Sequence, residues 1–118
     1  MDAALSLHYS CRYTVKQNAY SKSFPMQVGV RQGCALAPTI YSLFTVLFYR
    51  ELAKCTSQAW AEKCLTIFPD DKHLHWQIES TGDLQFVCHC VQQTFRLLRQ
   101  YGMTVNSDKS RLVVALRT

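Results

Sequence analysis

The chain has 118 residues, enough for one domain with a core and too few for two. Hydrophobic residues make up 48% and charged residues 18%, a balance that excludes a disordered chain. Thirteen Lys and Arg against eight Asp and Glu leave a formal charge of +5. That charge permits a polyanionic partner without specifying one, because the basic residues form no run.

In chain order, Leu7 to Val15 is rich in Tyr, Val and Thr and is expected to form a strand. Asn18 to Ser23 is polar and turn-like, and Phe24 to Val30 can return as a second strand, with Pro25 at an edge or strand start. After Gly29 to Pro38, the residues Ile40, Leu43, Phe44, Leu47 and Phe48 recur at helical spacing. The spacing predicts a helix that starts at Pro38 and runs to about Cys55. Its cap position holds Ala37, which offers no side-chain oxygen and forfeits about 1 kcal/mol relative to Ser.

Cys64 to Phe68 reads as a short apolar strand, and Lys72 to Ile78 as an alternating one with Leu74, Trp76 and Ile78 on one face. Between them lie only Pro69, Asp70 and Asp71, a tight hairpin with acids at its tip. Ser80 and Thr81 can cap a following helix from Asp83 to Tyr101, in which Leu84, Val87, Val91, Phe95 and Leu98 form the expected buried stripe. Gly102 should end it in a left-handed conformation, and Met103 to Leu116 should form two short strands around a turn at Asn106 to Lys109. The order predicts an α+β fold, an antiparallel sheet with helices packed on one face.

The apolar stretch from Ile40 to Phe48 is shorter than the roughly 18 residues of a membrane span and is broken by Ser42 and Thr45. Met1 to Ser10 lacks a basic start followed by an apolar block, so no secretory signal is read there. An intracellular protein of nucleus or cytoplasm is expected, with no membrane partner. The cysteines Cys11, Cys34, Cys55, Cys64, Cys88 and Cys90 have no CxxC spacing and are expected to be reduced thiols, most of them buried. Cys88, His89 and Cys90 invite a zinc reading. On a helix, however, Cys88 and Cys90 sit about 200° apart and cannot chelate one ion together.

Adjacent carboxylates carry the possible chemistry. In an extended strand Asp70 and Asp71 would point to opposite faces, whereas a hairpin tip can bring both toward one cation. Hard ions such as Mg²⁺ accept carboxylate and phosphate oxygens, and a pair of them activates a 3′-hydroxyl in nucleotidyl transfer. The bland alternative is that Pro-Asp-Asp is an ordinary turn, favoured for backbone reasons.

Three blocks bear on that choice. Val28-Gly29-Val30-Arg31-Gln32-Gly33-Cys34-Ala35-Leu36-Ala37-Pro38, followed by an aromatic-rich helix, resembles the loop and helix of non-LTR retrotransposon reverse transcriptases. Phe68-Pro69-Asp70-Asp71 looks like the same family's aromatic-x-Asp-Asp hairpin. Gly102-Met103-Thr104-Val105-Asn106, with Lys109, is similar to the glycine, asparagine and lysine block that follows it.

The resemblance implies part of a reverse transcriptase palm, an RNA-directed DNA polymerase using Mg²⁺ or Mn²⁺ with an RNA template, a DNA primer and deoxynucleotides. It implies that Asp70 coordinates the metals, that Asp71 supports that site, and that Lys109 lies near the triphosphate to protonate the leaving pyrophosphate. Gln32 and Gly33 would line the pocket of the incoming nucleotide, and Arg31 would contact template or nucleotide.

Two departures stand beside it. The family's metal site also takes an aspartate from an earlier strand, and the only acid before Gly29 is Asp2. Pro69 stands where the family has Ala, Val or Met; it fixes φ and removes an amide donor from the hairpin. A partial palm without fingers, thumb or first-aspartate strand is therefore expected, inactive as an isolated chain. The alternatives are a non-catalytic nucleic-acid-binding remnant and a small structural α+β domain.

Overall fold

A computed structural model describes residues 12–25 and 33–117. The chain divides into two compact units, residues 1–47 and 48–118. In the first, β1 (Arg12–Gln17) pairs antiparallel with β2 (Tyr20–Pro25), in register from Arg12 opposite Pro25 to Gln17 opposite Tyr20. The polar turn expected over Asn18 to Ser23 shrinks to Asn18-Ala19. Asn18 takes a φ of 55°, a left-handed conformation that asparagine tolerates, so the loop closes in two residues and Tyr20 to Ser23 are free to pair. The Thr14 and Ser23 hydroxyls meet across the strands at 2.8 Å, and the Lys22 ammonium lies 5.2 Å from the Phe24 ring centre. The strand segments expected over Leu7 to Cys11 and Met26 to Val30 lie outside the described residues.

Helix α1 (Ala37–Cys55) begins one residue ahead of Pro38 and ends where its periodicity predicts. With no capping oxygen at hand, the Ala37 N–H donates to the Cys34 carbonyl at 3.1 Å. Ser42 and Thr45 return their hydroxyls to the Pro38 and Tyr41 carbonyls, so their polarity is satisfied within the helix. Leu43 and Leu47 are exposed, contrary to a stripe that runs the whole length; after Ala37 at its start, Phe48, Leu52 and Ala53 are the buried residues.

The second unit carries the core: Phe48, Leu52, Ala53, Trp60, Ala61, Leu65, Cys90, Leu97 and Leu98. A helix absent from the sequence reading, α2 (Gln58–Cys64), is capped by Ser57, whose hydroxyl accepts the Trp60 N–H. Trp60 then joins three elements. Its ring stacks on Trp76 at 5.5 Å and 7°, meets Phe86 edge-on at 6.1 Å, and its indole N–H donates to the His75 carbonyl at 3.1 Å. The short strands β3 (Leu65–Ile67) and β4 (Lys72–Leu74) pair antiparallel, Leu65 opposite Leu74 and Ile67 opposite Lys72. The expected strand to Ile78 stops at Leu74, because beyond the His75 N–H to Cys64 carbonyl bond the partner chain has turned into α2. The alternation persists in burial: Leu74 and Trp76 are half-buried, His73, His75 and Gln77 exposed. Ile78, expected on the buried face, is exposed.

Helix α3 (Thr81–Gln100) opens on a capping box: the Ser80 hydroxyl accepts the Asp83 N–H, and the Asp83 carboxylate accepts the Ser80 N–H. It closes at Gly102 (φ 74°) with the Gly102 N–H on Arg99 and the Met103 N–H on Leu98, the paired bonds of a Schellman motif. The buried stripe is Cys90, Thr94, Leu97 and Leu98, rotated from the expected one; Leu84 and Phe95 are exposed. Thr94 is tolerated inside because its hydroxyl donates to the Cys90 carbonyl at 2.8 Å. Among the described cysteines, all free thiols, only Cys90 is buried, which corrects the expectation that most would be.

The two strands expected over Met103 to Leu116 do not form. Leu112, Val113, Val114 and Leu116 are exposed and no strand pairs with them among the described residues, so β-propensity there finds no ladder. The α+β class stands, with the described strands arranged as two separate hairpins. No helix among the described residues is long and apolar enough to cross a membrane.

Two measurements follow from this packing. Trp60→Ala should cost about 3–5 kcal/mol of unfolding free energy, read from urea denaturation, a large share of the stability of a domain this size. The Asp83 carboxyl is held below its ordinary value by hydrogen bonds from the Glu79 N–H and from Ser80. Its folded pKa being the lower one, the cap stabilises above the unfolded value near 3.9 and is lost as pH falls through the folded value. Asp83→Asn should flatten the fall of the urea midpoint below about pH 4.

Candidate metal and nucleotide site

The hairpin between β3 and β4 turns through Phe68-Pro69-Asp70-Asp71, and the Phe68 N–H donates to the Asp71 carbonyl at 2.7 Å. Pro69 and Asp70 are thus the two loop residues. Neither has a positive φ, since among described non-glycine residues only Asn18 does. Pro69 therefore sits where its fixed negative φ suits the turn, and its missing N–H removes nothing from the Phe68 to Asp71 bond. The expected conflict between proline and the hairpin is not seen in the backbone.

Asp70 and Asp71 are both exposed at this tip. Their carboxylates make no hydrogen bond or ion pair among the described residues, in contrast to four of the five other described acids. Glu51 holds Lys54 at 3.0 Å, Glu62 accepts from Gln58, Glu79 accepts from Gln77, and Asp83 is consumed by its cap. The next residue, Lys72, is half-buried. Burial lowers its ammonium below the ordinary value, and the Asp70 and Asp71 charges offset part of that fall. Lys72 is not among the residues the sequence motifs single out; its signal is its place directly after the two acids, at the first position of β4.

Of the other site residues, Arg31 and Gln32 lie outside the described residues. Gly33 has a φ of 79°, and a side chain there would meet nothing within 4 Å. Glycine is needed at this point for its backbone conformation, ahead of the turn that launches α1. Lys109 is exposed and forms no ion pair with either carboxylate among the described residues. Its position is fixed through the backbone: the Asn106 side-chain oxygen accepts the Asp108 and Lys109 N–H groups at 3.1 and 3.3 Å. The Ser110 N–H and hydroxyl return to the Asn106 carbonyl at 3.0 and 2.7 Å. Asn106 is thus a positioning residue for Lys109. Cys88 is exposed and Cys90 buried, so the two face different sides of α3, as the angular argument against a zinc chelate requires.

The profile of the family described as reverse transcriptase (RNA-dependent DNA polymerase) matches residues 3–117. The chain belongs to the reverse transcriptase family. That match spans all three motif blocks and includes the acidic hairpin, the Gly33 turn and the Asn106 to Lys109 turn. No curated protein and no solved structure matches the chain. Membership in this family brings a nucleic-acid template and nucleotide substrates into view.

The charges at the hairpin generate a direct test. Since Asp70 and Asp71 each raise the Lys72 pKa, Asp70→Asn or Asp71→Asn should lower it further. The Lys72 side-chain NMR signals, followed through a pH titration, should show the midpoint moving down; an unchanged midpoint would separate Lys72 from the acids.

Proposed function

We propose that this chain is a palm portion of a reverse transcriptase of the non-LTR retrotransposon type, and that Asp70 and Asp71 are its divalent-metal ligands. The observation that supports this most is the pair of unengaged carboxylates at the tip of a hairpin, in a chain of this family, where the other described acids are mostly tied to their neighbours. The donor set suits Mg²⁺ or Mn²⁺: Mg²⁺ is bound through one or two carboxylates together with waters and substrate phosphates. When bound, such ions lower the pKa of a primer 3′-hydroxyl and neutralise charge on the departing pyrophosphate.

The chain's own residues take the remaining parts of this reading. Gly33 opens the turn beside which Gln32 and Arg31 would meet the incoming deoxynucleotide. Lys109, presented by the Asn106 turn, would give its proton to the pyrophosphate oxygen as the bond to the nucleotide breaks. The RNA template and DNA primer would meet a chain of net charge +5.

A two-ion centre needs more carboxylate than one adjacent pair. Among the described residues no group of three or more His, Cys, Asp or Glu is placed to hold a metal ion. We therefore read Asp70 and Asp71 as one part of such a centre, which takes a further carboxylate to complete it. Mn²⁺ titration followed by paramagnetic line broadening should single out the signals around Asp70 and Asp71. Asp70→Asn should weaken that binding by roughly tenfold or more. In primer extension with Mn²⁺ the isolated chain should be inactive; robust extension, abolished by Asp70→Ala, would overturn this part of the reading.

A further inference from the structure

From Leu84 to Ser107 the sequence contains no Asp or Glu. From Leu84 to Arg117 it holds Arg96, Arg99, Lys109, Arg111 and Arg117 against Asp108 alone, five cations to one anion. Most of the formal +5 therefore resides in α3 and the segment after it. The one acid of α3, Asp83, is occupied in the cap at its far end.

On the exposed side of α3 a shallow groove is lined by Gln92, Phe95, Arg96 and Arg99. At about 100° per residue, Phe95 lies about 40° round the helix from Arg99 and about 60° from Gln92, so the ring borders the polar arc. Phe95 is 39% exposed, although it belongs to the set that the sequence assigns to the core. Arg96 is held in place, its guanidinium donating to Gln93 at 2.8 Å, to Gln100 at 3.4 Å and to the Cys55 sulfur at 3.3 Å. Arg99 and Gln92 make no side-chain hydrogen bond among the described residues, which leaves their donors for a ligand.

An exposed aromatic ring beside fixed and free guanidinium groups, with an amide and no carboxylate on the arc, matches single-stranded nucleic acid in chemistry. A base stacks on the ring, the cations take the phosphates, and the amide reads a base edge. A duplex keeps its bases stacked on each other and offers nothing to Phe95; an acidic peptide would use the arginines and ignore the ring.

We propose that the Gln92, Phe95, Arg96 and Arg99 face of α3 is a docking surface for single-stranded RNA, separate from the acidic hairpin. The inference rests on the family reading for its choice of RNA. Its surface is distinct from the residues assigned to catalysis.

The test is fluorescence anisotropy of a labelled single-stranded RNA of about twelve nucleotides with the whole chain, at low and at physiological salt. Phe95→Ala should weaken binding by about tenfold, within the range seen when a stacking ring is removed. Arg99→Gln should reduce the salt dependence by about one phosphate contact. Phe95→Tyr should bind as the wild type does. Both positions are exposed, so circular dichroism of the variants should match the wild type, and each loss then belongs to the surface. RNA binding that none of the α3 substitutions alters would overturn the surface while leaving the family reading standing. A wild-type chain that does not bind RNA even at low salt would overturn the surface and count against the nucleic-acid reading with it. Equal competition by an RNA duplex or by polyglutamate would overturn it in favour of a general polyanion site.

Discussion

Trp60 is the side chain on which the acidic hairpin depends. β3 and β4 have three residues each, too few to hold a hairpin in water without support from behind. Trp60 provides that support from a seven-residue helix that is itself short of turns. Its own N–H is taken by the Ser57 cap, its indole N–H by the His75 carbonyl just past β4, and its ring stacks on Trp76 and meets Phe86 edge-on. One ring thereby joins α2, the arm of the hairpin and α3. The two aspartates at the tip contribute nothing to this packing, and the packing leaves them in water.

The distribution of carboxylates gives the tip its meaning. A small basic domain with few acids uses most of them locally: Glu51 and Glu62 along their helices, Glu79 with Gln77, Asp83 in a cap. The tip pair is left with Lys72, one positive charge against two negative ones. Burial lowers the Lys72 pKa, and the two carboxylates raise it in part. Two carboxylates beside one ammonium leave the tip with a net negative formal charge.

Legibility in the sequence followed the physical range of each signal. The bounds of α1 and α3 were readable because many apolar residues at helical spacing, Pro38, the Ser80 to Asp83 box and Gly102 all act within a few residues of where they sit. The hairpin was readable for the same reason, through Pro69 and its acids. α2 was not, because seven residues carry less than two full turns of periodicity and its Trp60 is defined by partners at His75, Trp76 and Phe86. The buried stripe of α3 was misassigned because size alone favours Leu84 and Phe95. Tertiary packing selected Cys90 and Thr94 instead, the latter with its hydroxyl returned to the backbone. The strands expected beyond Met103 needed an edge to pair with, and an edge is a property of other segments.

At the candidate site the readable residues share one trait: each is a backbone device standing next to a chemical one. Gly33 takes a positive φ beside Gln32, Pro69 enters the turn that exposes Asp70, and Asn106 gathers the amides that set Lys109. Such devices act over three or four residues, so a short motif can record them without reference to the rest of the fold. Bringing the chemical residues to one reacting centre is a different requirement. It is met by long-range packing of the kind Trp60 provides, which no motif spells out. The family match covers all three blocks, and the assembly of such places into one catalytic centre would rest on contacts of a longer range than any of them.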